Sequence, residues 1–261
     1  MPLNVTPQKT VPSASWLLVG AKSDEATKAE EAAHAKRKEE KGKAFRFWLK
    51  DGEKAQITFV DGDLVDGNHL QPPRYYEHNL YLNGTWGHTF VCPQSTNPGS
   101  GEKCPICESG DRPSLVSLFT IIDHREFSSK DGSKSYKDSV KLLVAPSQPF
   151  LLLREIALKV GGLAGSRWEV SRSGEKSSRI GSSFYPESKK TIEELRALYS
   201  YEDIDPKTGV KSTKTKFKAL DYETEIIYRT SAQLLELGLG KPSAPSFAQA
   251  PVDVSSYAKE L

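Results

Sequence analysis

The chain has 261 residues, which suffices for one hydrophobic core of ordinary size with additional segments around it. Its 36 Lys and Arg residues against 34 Asp and Glu residues leave a formal net charge of +2, which argues against a histone-like tail or a polybasic membrane binder. A basic groove is still compatible with this balance, because acidic segments elsewhere can offset its charge.

Targeting signals are not evident in the sequence. No apolar run approaches the roughly 20 residues that a membrane span requires, and the N-terminus lacks the basic-then-apolar pattern of a signal peptide. The three cysteines are an odd number, which does not suggest a disulfide framework. We therefore expect a protein that stays in the cytoplasm where it is made.

The N-terminal part is predicted to be an arm followed by a solvated helix. Residues 1–15 are rich in Pro, Thr and Ser, which suggests a loose arm. Residues 23–41 combine good helix formers with opposite charges three or four positions apart, and Ser23 or Asp24 can cap the first turn. Because this helix has few large apolar side chains, we predict that residues 1–42 lie outside the core.

From residue 43 onward the pattern changes to short strands separated by turns. The Asn83-Gly84 pair, between the second and third strands, is a strong hairpin signal. One amphipathic helix, residues 149–160, follows the fifth strand and stops at a glycine pair. The predicted strands are 54–60, 75–81, 86–92, 115–123, 136–144, 167–172 and 179–185.

This order of elements predicts a mainly β (α+β) fold with peripheral helices. Short strands around a single helix suit an OB-fold-like, partly open barrel, into which a zinc-binding loop is inserted. An immunoglobulin-like sandwich is disfavoured by the helix and by the lack of a Cys…Trp…Cys pattern. We predict a core at residues 43–186 with a zinc subdomain at about 75–110. This core is followed by a helical region at 187–240, with helices near 191–199 and 222–238, and then by a flexible tail at 241–261.

The cysteines are candidate metal ligands. Cys104 and Cys107 have the two-residue spacing of a metal knuckle and lie in a loop rich in Gly and Pro, where little apolar cover is expected. Structural zinc takes four tetrahedral N or S ligands, so Cys92, Cys104 and Cys107 require one histidine. A closed site with four protein ligands leaves no open position for catalysis, so we expect one structural Zn²⁺.

Three histidines could be the fourth ligand. His88 lies four residues before Cys92 in the same predicted strand, about 13 Å away at 3.3 Å per residue, unless the strand is broken. His78 lies on the partner strand, and a three-residue loop between the strands pairs it with Phe90, diagonal to Cys92. A two-residue loop moves His78 to the opposite face. We favour His78, while His88, His124 or the absence of a fourth protein ligand remain alternatives.

The run His78-x13-Cys92-x11-Cys104-x2-Cys107 is similar to the His-Cys-Cys-Cys zinc subdomain in the single-stranded DNA-binding proteins of T-even phages. Four segments within residues 43–186 resemble this family, whose proteins have an OB-fold: FRFWLKDGEKAQITFVDGD (45–63), YYEHN (75–79), CPICESGDRPSL (104–115) and RWEVSRSGEKSSRIGSSFYP (167–186). The loop between the first two cysteines is slightly longer than in the T-even pattern. The C-terminus, APVDVSSYAKEL, is not the strongly acidic tail that many such proteins use to recruit partners.

The resemblance implies a bacteriophage protein that binds single-stranded DNA without sequence preference during DNA replication, recombination or repair. Replication or recombination proteins would be its partners, and the cytoplasm of the host cell would be its location. The residues support the same function independently, since single-strand binders combine Lys and Arg for phosphates with aromatic faces for bases. The candidate contacts are Arg46, Trp48, Lys50, Arg74, Tyr75, Tyr76, Trp86, Arg125, Tyr136, Lys137, Trp168 and Arg172.

Packing is the alternative role for the aromatic candidates. Trp48, Tyr75, Tyr76 and Trp86 lie beside charges and turns, so DNA contact and packing are equally compatible with the pattern. The alternation around Trp168 leaves its face undecided.

Two other classes of function compete with DNA binding. A zinc-stabilised protein–protein interaction module in a replication or transcription complex is the alternative. A metal-dependent nuclease is disfavoured, because no paired Asp/Glu cluster and no nucleophile with a suitable base is evident. The glycines at 161, 162 and 165 follow a helix rather than a strand, so they do not indicate a phosphate loop. We therefore expect no enzymatic activity.

Overall fold

The computed structural model describes residues 20–41, 45–82, 84–129, 132–133, 135–205 and 208–240, with the side chains of the first helix described as far as residue 31. The predicted arm (1–15) and tail (241–261) lie outside the described residues. The chain divides into two compact units, residues 1–43 and 44–261. The first unit contains helix α1, Ala21–Lys41, which matches the predicted helix. In the first turn of α1, Ser23 N donates a hydrogen bond to Gly20 O. The same turn contains the acidic residue Asp24.

The second unit is mainly β, as the sequence predicts. The described strands are β1 Lys54–Phe59, β2 Leu64–Val65, β3 His69–Leu70, β4 Arg74–Leu82, β5 Thr85–Val91, β6 Ser114–Asp123, β7 Phe127–Ser128, β8 Ser135–Tyr136, β9 Ser139–Pro146, β10 Ser166–Ser171, β11 Ser183–Lys189, β12 Ser200–Ile204 and β13 Lys211–Thr215. The described helices are α2 Pro93–Thr96, α3 Pro105–Glu108, α4 Ser147–Val160, α5 Ile192–Leu198, α6 Tyr222–Glu225 and α7 Ser231–Glu236, with a 3-10 turn at Pro98–Ser100.

Strand β6 is the centre of an antiparallel sheet with the order β11-β10-β1-β6-β4-β5. Strand β9 pairs with β6 along one edge, while β4 and β1 pair with successive parts of β6 on the other. Eight of the ten residues of β6 are buried, which explains its apolar sequence, since both faces of this strand are covered. The other strands form three two-stranded ladders: β2–β3, β7–β8 and β12–β13.

The sheets do not close into a barrel in the described part of the chain. An irregular segment, residues 45–49, runs along the free edge of β9. Phe47 N donates to Leu142 O at 2.8 Å, and Leu142 N donates to Phe45 O at 3.0 Å. At its other end Leu49 N donates to Arg179 O at 2.7 Å, in the loop that precedes β11. The segment therefore connects one edge of the sheet with a loop near the other edge.

The main core lies beneath helix α4. Phe150, Leu153 and Ala157 form its buried face and pack against the sheet, where Phe59 and Phe119 meet edge to face at 5.9 Å between ring centroids. Burying a side chain of this size contributes about 1.5–3 kcal/mol. The helix ends at a left-handed glycine (φ 68°), at the predicted stop.

Two predicted strands differ from the observed ones. The strand predicted at 136–144 is divided between β8 and β9, because Asp138 between them adopts a left-handed conformation with φ 54°. The strand predicted at 179–185 begins four residues later, at Ser183. Gly181, with φ 112°, still belongs to the preceding turn, and a Cβ there would lie 2.2 Å from Val170 Cγ1.

The region after residue 186 is less helical than the sequence suggested. Strands β12 and β13, residues 200–204 and 211–215, form a hairpin of mostly exposed and mostly polar residues. The helix predicted at 222–238 is two short helices, α6 and α7. The Gly- and Pro-rich segment that carries Cys104 and Cys107, predicted as a loop, contains α3, and α2 and the 3-10 turn precede α3. Hairpin β12–β13 has no apolar alternation, so the sequence carried no signal for it.

Candidate functional site

Hairpin β4–β5 positions the predicted histidine, although its loop does not have the length on which that prediction depended. The pairing of His78 with Phe90 was expected only for a three-residue loop. In the structure Leu82 pairs with Thr85, so the connection has two residues, 83 and 84. A regular hairpin with this loop would turn His78 away from the cysteines.

A β-bulge corrects the register. Tyr81 pairs with Trp86, but Leu80 pairs with His88, which leaves Gly87 as an extra residue on β5. Gly87 has φ 105°, a conformation that side chains other than glycine rarely adopt. The bulge restores the pairing of His78 with Phe90 that the longer loop would have given.

Four side chains converge at the end of this hairpin. His78 Nε2 lies 3.4 Å from Cys104 Sγ and 3.6 Å from Cys107 Sγ, and Cys92 Sγ lies 3.6 Å from Cys107 Sγ. All four ligand atoms lie within 4.8 Å of one another. A tetrahedral ion with Zn–S near 2.3 Å and Zn–N near 2.1 Å requires S···S separations of about 3.8 Å and S···N separations of about 3.6 Å. The cluster could therefore hold a metal ion at the predicted residues.

The other candidate histidines lie elsewhere. His88 is opposite Leu80 on β5 and does not belong to the cluster. His124 lies 2.8 Å from Thr58 Oγ1 through Nε2 and 2.6 Å from Asp138 Oδ1 through Nδ1. Burial lowers the pKa of His124, and the carboxylate of Asp138 partly opposes that shift. Both ring nitrogens of His124 are therefore already hydrogen-bonded to residues other than the cysteines.

Short helices bring the cysteines into place. Cys92 precedes α2, and its sulfur accepts from Ser95 N at 3.4 Å. Cys104 precedes α3 and is followed by Pro105, whose fixed φ suits the first helical position. Burial raises the pKa of Cys104, and the backbone N–H groups of Ile106 and Cys107 partly oppose that shift. The Cys-Pro-Ile-Cys sequence therefore folds locally into a turn that places the sulfur atoms of Cys104 and Cys107 near His78.

Asp111 orients the histidine, a role that the sequence analysis missed. Its Oδ2 lies 2.6 Å from His78 Nδ1, which directs Nε2 toward the sulfur atoms. Metal-bound histidines usually donate their second nitrogen to such an acceptor. The available signal was the position of Asp111, four residues after Cys107 within the same turn.

The chemistry of the cluster fits a soft cation. Burial and the neighbouring thiols raise the pKa of Cys107 to about 12, and burial also raises the pKa of Cys104. None of the three cysteines forms a disulfide. A bound divalent cation stabilises thiolates and reverses such shifts. Three thiols and one imidazole at tetrahedral spacing form a ligand set that suits a soft or borderline transition-metal ion better than a hard cation.

The metal cluster is covered by residues 228–240, which we call the cover segment. Leu234 and Leu239 pack on Cys92 and Cys104 in one apolar cluster. Glu102, next to the cysteine turn, accepts from Ser231 N at 2.5 Å and from Tyr228 OH at 3.1 Å. This cover lies outside the metal subdomain predicted at about 75–110, so it was not predicted.

Gly240 ends the cover segment against the turn that carries the cysteines. A Cβ at Gly240 would lie 2.4 Å from Pro105 Cβ, so the close approach requires glycine.

Leu234→Ala should destabilise the chain by about 2–5 kcal/mol, because it opens a cavity beside the metal cluster. We expect a lower melting temperature and faster metal loss to a chelator. Leu237→Ala is the matched control, since Leu237 directly follows α7 and is 55% exposed. Equal effects of the two substitutions would show that the cover segment does not support the cluster.

A second feature is an open cleft of about 770 Å³ beside segment 45–49. Two indole rings face it, with Trp48 52% exposed and Trp86 62% exposed. Trp86 also packs against Tyr81 at 5.3 Å between ring centroids. The charged residues that line the cleft are Arg46, Glu77, Lys176 and Arg179. The cleft thus combines aromatic faces with an excess of positive charge.

The cleft brings together three of the residues that the sequence predicts to contact nucleic acid: Arg46, Trp48 and Trp86. Two others are buried and packed. Tyr75 is 8% exposed, and Trp168 is 4% exposed with Nε1 donating to Ser166 Oγ. Their rings cannot stack on a base without unpacking, so the prediction for these two residues needs correction.

Two predicted arginines stabilise segment 45–49. Arg125 pairs with Asp123 and Glu53, and its guanidinium lies over the ring of Phe47. Arg172 donates to Leu49 O at 2.9 Å and to the carbonyl oxygen of residue 175. These contacts use the hydrogen-bonding groups that a phosphate would need.

The remaining predicted residues lie outside the cleft. Tyr76 packs against the metal cluster, and the guanidinium of Arg74 lies 4.6 Å from the ring centroid of Phe150. Lys50, Tyr136 and Lys137 are exposed. Conversely, Lys176 and Arg179 line the cleft but were not predicted; Lys176 lies between two predicted strands and Arg179 is the first residue of the second.

In the part of the chain that the structure describes, no helix has both the length and the apolar character that crossing a membrane requires. Comparison with family models, with curated proteins and with solved structures finds no match for this chain.

Proposed function

We propose that the protein binds single-stranded DNA, without sequence preference, in the cleft between Trp48 and Trp86. The observation that carries the proposal is the pair of exposed indole rings beside Arg and Lys side chains in one cleft. Stacking on such rings contributes about 1–3 kcal/mol per base and accepts every base, because each has a π-face. The resemblance to phage proteins adds a role in DNA replication, recombination or repair, with binding rather than catalysis as the activity.

We also propose an OB-fold-like arrangement, in which the sheet is a partly open barrel. Two features support it. Strand β6 pairs with β9, β1 and β4, so the sheet is strongly branched at its centre. Segment 45–49 hydrogen-bonds to β9 and to the loop before β11, which narrows the gap between the sheet edges. OB-folds bind single strands across such a surface.

Zinc is the proposed metal. The buried cluster of three sulfurs and one imidazole nitrogen disfavours magnesium and calcium, which prefer oxygen ligands. Four protein ligands leave no open coordination position, which favours a structural role over a catalytic one. The ion would tie His78 on β4 to the turns that carry the cysteines, and so hold hairpin β4–β5, whose Trp86 borders the cleft.

Fluorescence titration with oligo-dT and with a duplex of equal length tests the proposed function. We expect single strands to quench the tryptophan emission and to bind far more tightly than duplex, because stacking requires unpaired bases. Affinity should fall as salt rises, with a log–log slope of about −0.7 for each neutralised phosphate.

Equal binding of duplex and single strand, or no binding of either at low salt, would contradict the proposal. In that case the protein–protein interaction module would become the better hypothesis.

A further inference from the structure

Two of the residues that line the cleft, Arg46 and Glu77, form an ion pair whose charges cancel. Arg46 Nη1 donates to Glu77 Oε1 at 2.9 Å, and Arg46 Nη2 donates to Glu77 Oε2 at 2.6 Å. Tyr75 OH accepts from Arg46 Nη2 at 3.0 Å and donates to the same carboxylate. The Glu77 side chain is 8% exposed, so the carboxylate of this bidentate pair is shielded from solvent. Both terminal nitrogens of Arg46 are therefore already engaged.

Part of the Arg46 side chain remains accessible to a ligand. One third of its side chain (33%) remains exposed, and the residue lines the cleft together with Trp48 and Trp86. A guanidinium binds phosphate through its in-plane N–H groups but stacks on aromatic bases through its face. A phosphate beside Arg46 would also approach the carboxylate of Glu77, which repels it.

The unpaired charge of the cleft lies elsewhere. Lys176 and Arg179 belong to the loop between β10 and β11, and both are exposed. Neither has a carboxylate at ion-pair distance among the residues that the structure describes. Because Arg46 and Glu77 cancel, these two side chains supply the net positive charge of the lining.

We propose that the cleft has two sides with different tasks, an inference that rests on the proposed function. The phosphates of the strand lie along Lys176 and Arg179. Its bases point to the opposite side, where they stack on Trp48, Trp86 and the neutralised guanidinium of Arg46. The Arg46–Glu77 pair thus supplies a stacking plane that does not attract phosphate. This difference between the two sides determines which side of the cleft the bases occupy.

The salt dependence of oligo-dT binding by variants of the full chain tests this division. Lys176→Ala and Arg179→Ala should each reduce the magnitude of the log–log slope by about 0.7, since each removes one phosphate contact. The double variant Arg46→Met/Glu77→Gln removes a positive and a negative charge together. It should weaken binding about 5- to 30-fold at every salt concentration without changing the slope, because it removes a stacking contact but no phosphate contact.

Lys211→Ala is the control, since Lys211 is exposed on β13 and does not line the cleft. It should change neither affinity nor slope. Melting temperatures would establish that each variant is folded. The variants at 176 and 179 change exposed loop residues, so they test the proposal even if the double variant does not fold.

The outcomes separate this inference from the proposed function. A flatter slope in Arg46→Met/Glu77→Gln, or unchanged slopes in both loop variants, would overturn the division while binding to single strands stands. Absence of any oligo-dT binding by the unmodified protein would instead overturn the proposed function.

Discussion

Removal of the metal, or Cys107→Ser, should unfold the region around the metal cluster and lower the melting temperature of the chain. Of the four ligands that would hold this region together, His78, Cys92 and Cys104 are fully buried and Cys107 is partly buried. Structural zinc contributes about 10–16 kcal/mol in zinc-finger peptides, which is comparable with the whole stability of a typical domain, about 5–15 kcal/mol. The loss of stability should therefore be larger than the loss expected from Leu234→Ala.

Metal analysis and calorimetry on the purified protein check this expectation. We expect about one zinc per chain, because the cluster has one set of four ligands. His78→Ala should lose zinc affinity strongly, whereas the matched variant His88→Ala should keep it, since His88 lies on the same hairpin outside the cluster. A metal-free chain that melts like the metal-loaded one, or equal zinc retention by both histidine variants, would disprove the assignment.

The metal ligands were predictable because their information is local. Cys104 and Cys107 lie within one turn, and Cys92 directly follows β5, the strand that a short loop joins to β4 and His78. The reason given for His78 was nevertheless incomplete, because the register depends on the bulge at Gly87. A glycine inside a strand is itself a sign of a bulge, so this signal was present in the sequence.

The cover over the metal cluster was not predictable in the same way. Leu234 and Leu239 are more than 120 positions from the cysteines that they cover. A short apolar pattern indicates that a helix packs somewhere, but it does not indicate on which surface. Contacts of this kind depend on the complete fold.

The burial or exposure of two tryptophans, Trp168 and Trp48, could have been predicted from the alternation of their neighbours in the sequence. Trp168 is buried because it alternates with Val170 on the inner face of β10, whose burial pattern is strictly alternating. The apolar neighbour at 170 could have decided its face. Trp48 offered the same criterion, since its apolar neighbours Phe47 and Leu49 are both buried while Trp48 itself is exposed.

Trp48→Ala and Trp86→Ala should each weaken binding of single-stranded DNA by about 5- to 150-fold, which corresponds to a stacking contribution of about 1–3 kcal/mol per base. Both rings are more than half exposed and face the cleft, so their removal takes little from the core. The loss should be similar for oligo-dT, oligo-dA and mixed sequences, because stacking does not read the edges of the bases. Fluorescence anisotropy with labelled oligonucleotides measures it without relying on the substituted tryptophans.

Tyr201→Ala is the matched control, since Tyr201 is an aromatic residue that is 44% exposed on β12 and does not line the cleft. We expect it to bind like the unmodified protein. If the effects of Trp48→Ala and Trp86→Ala add in the double variant, the two rings stack on different bases, because independent contacts contribute additively. If both single variants and the double variant bind as tightly as Tyr201→Ala, the DNA lies on another surface and the cleft does not bind it.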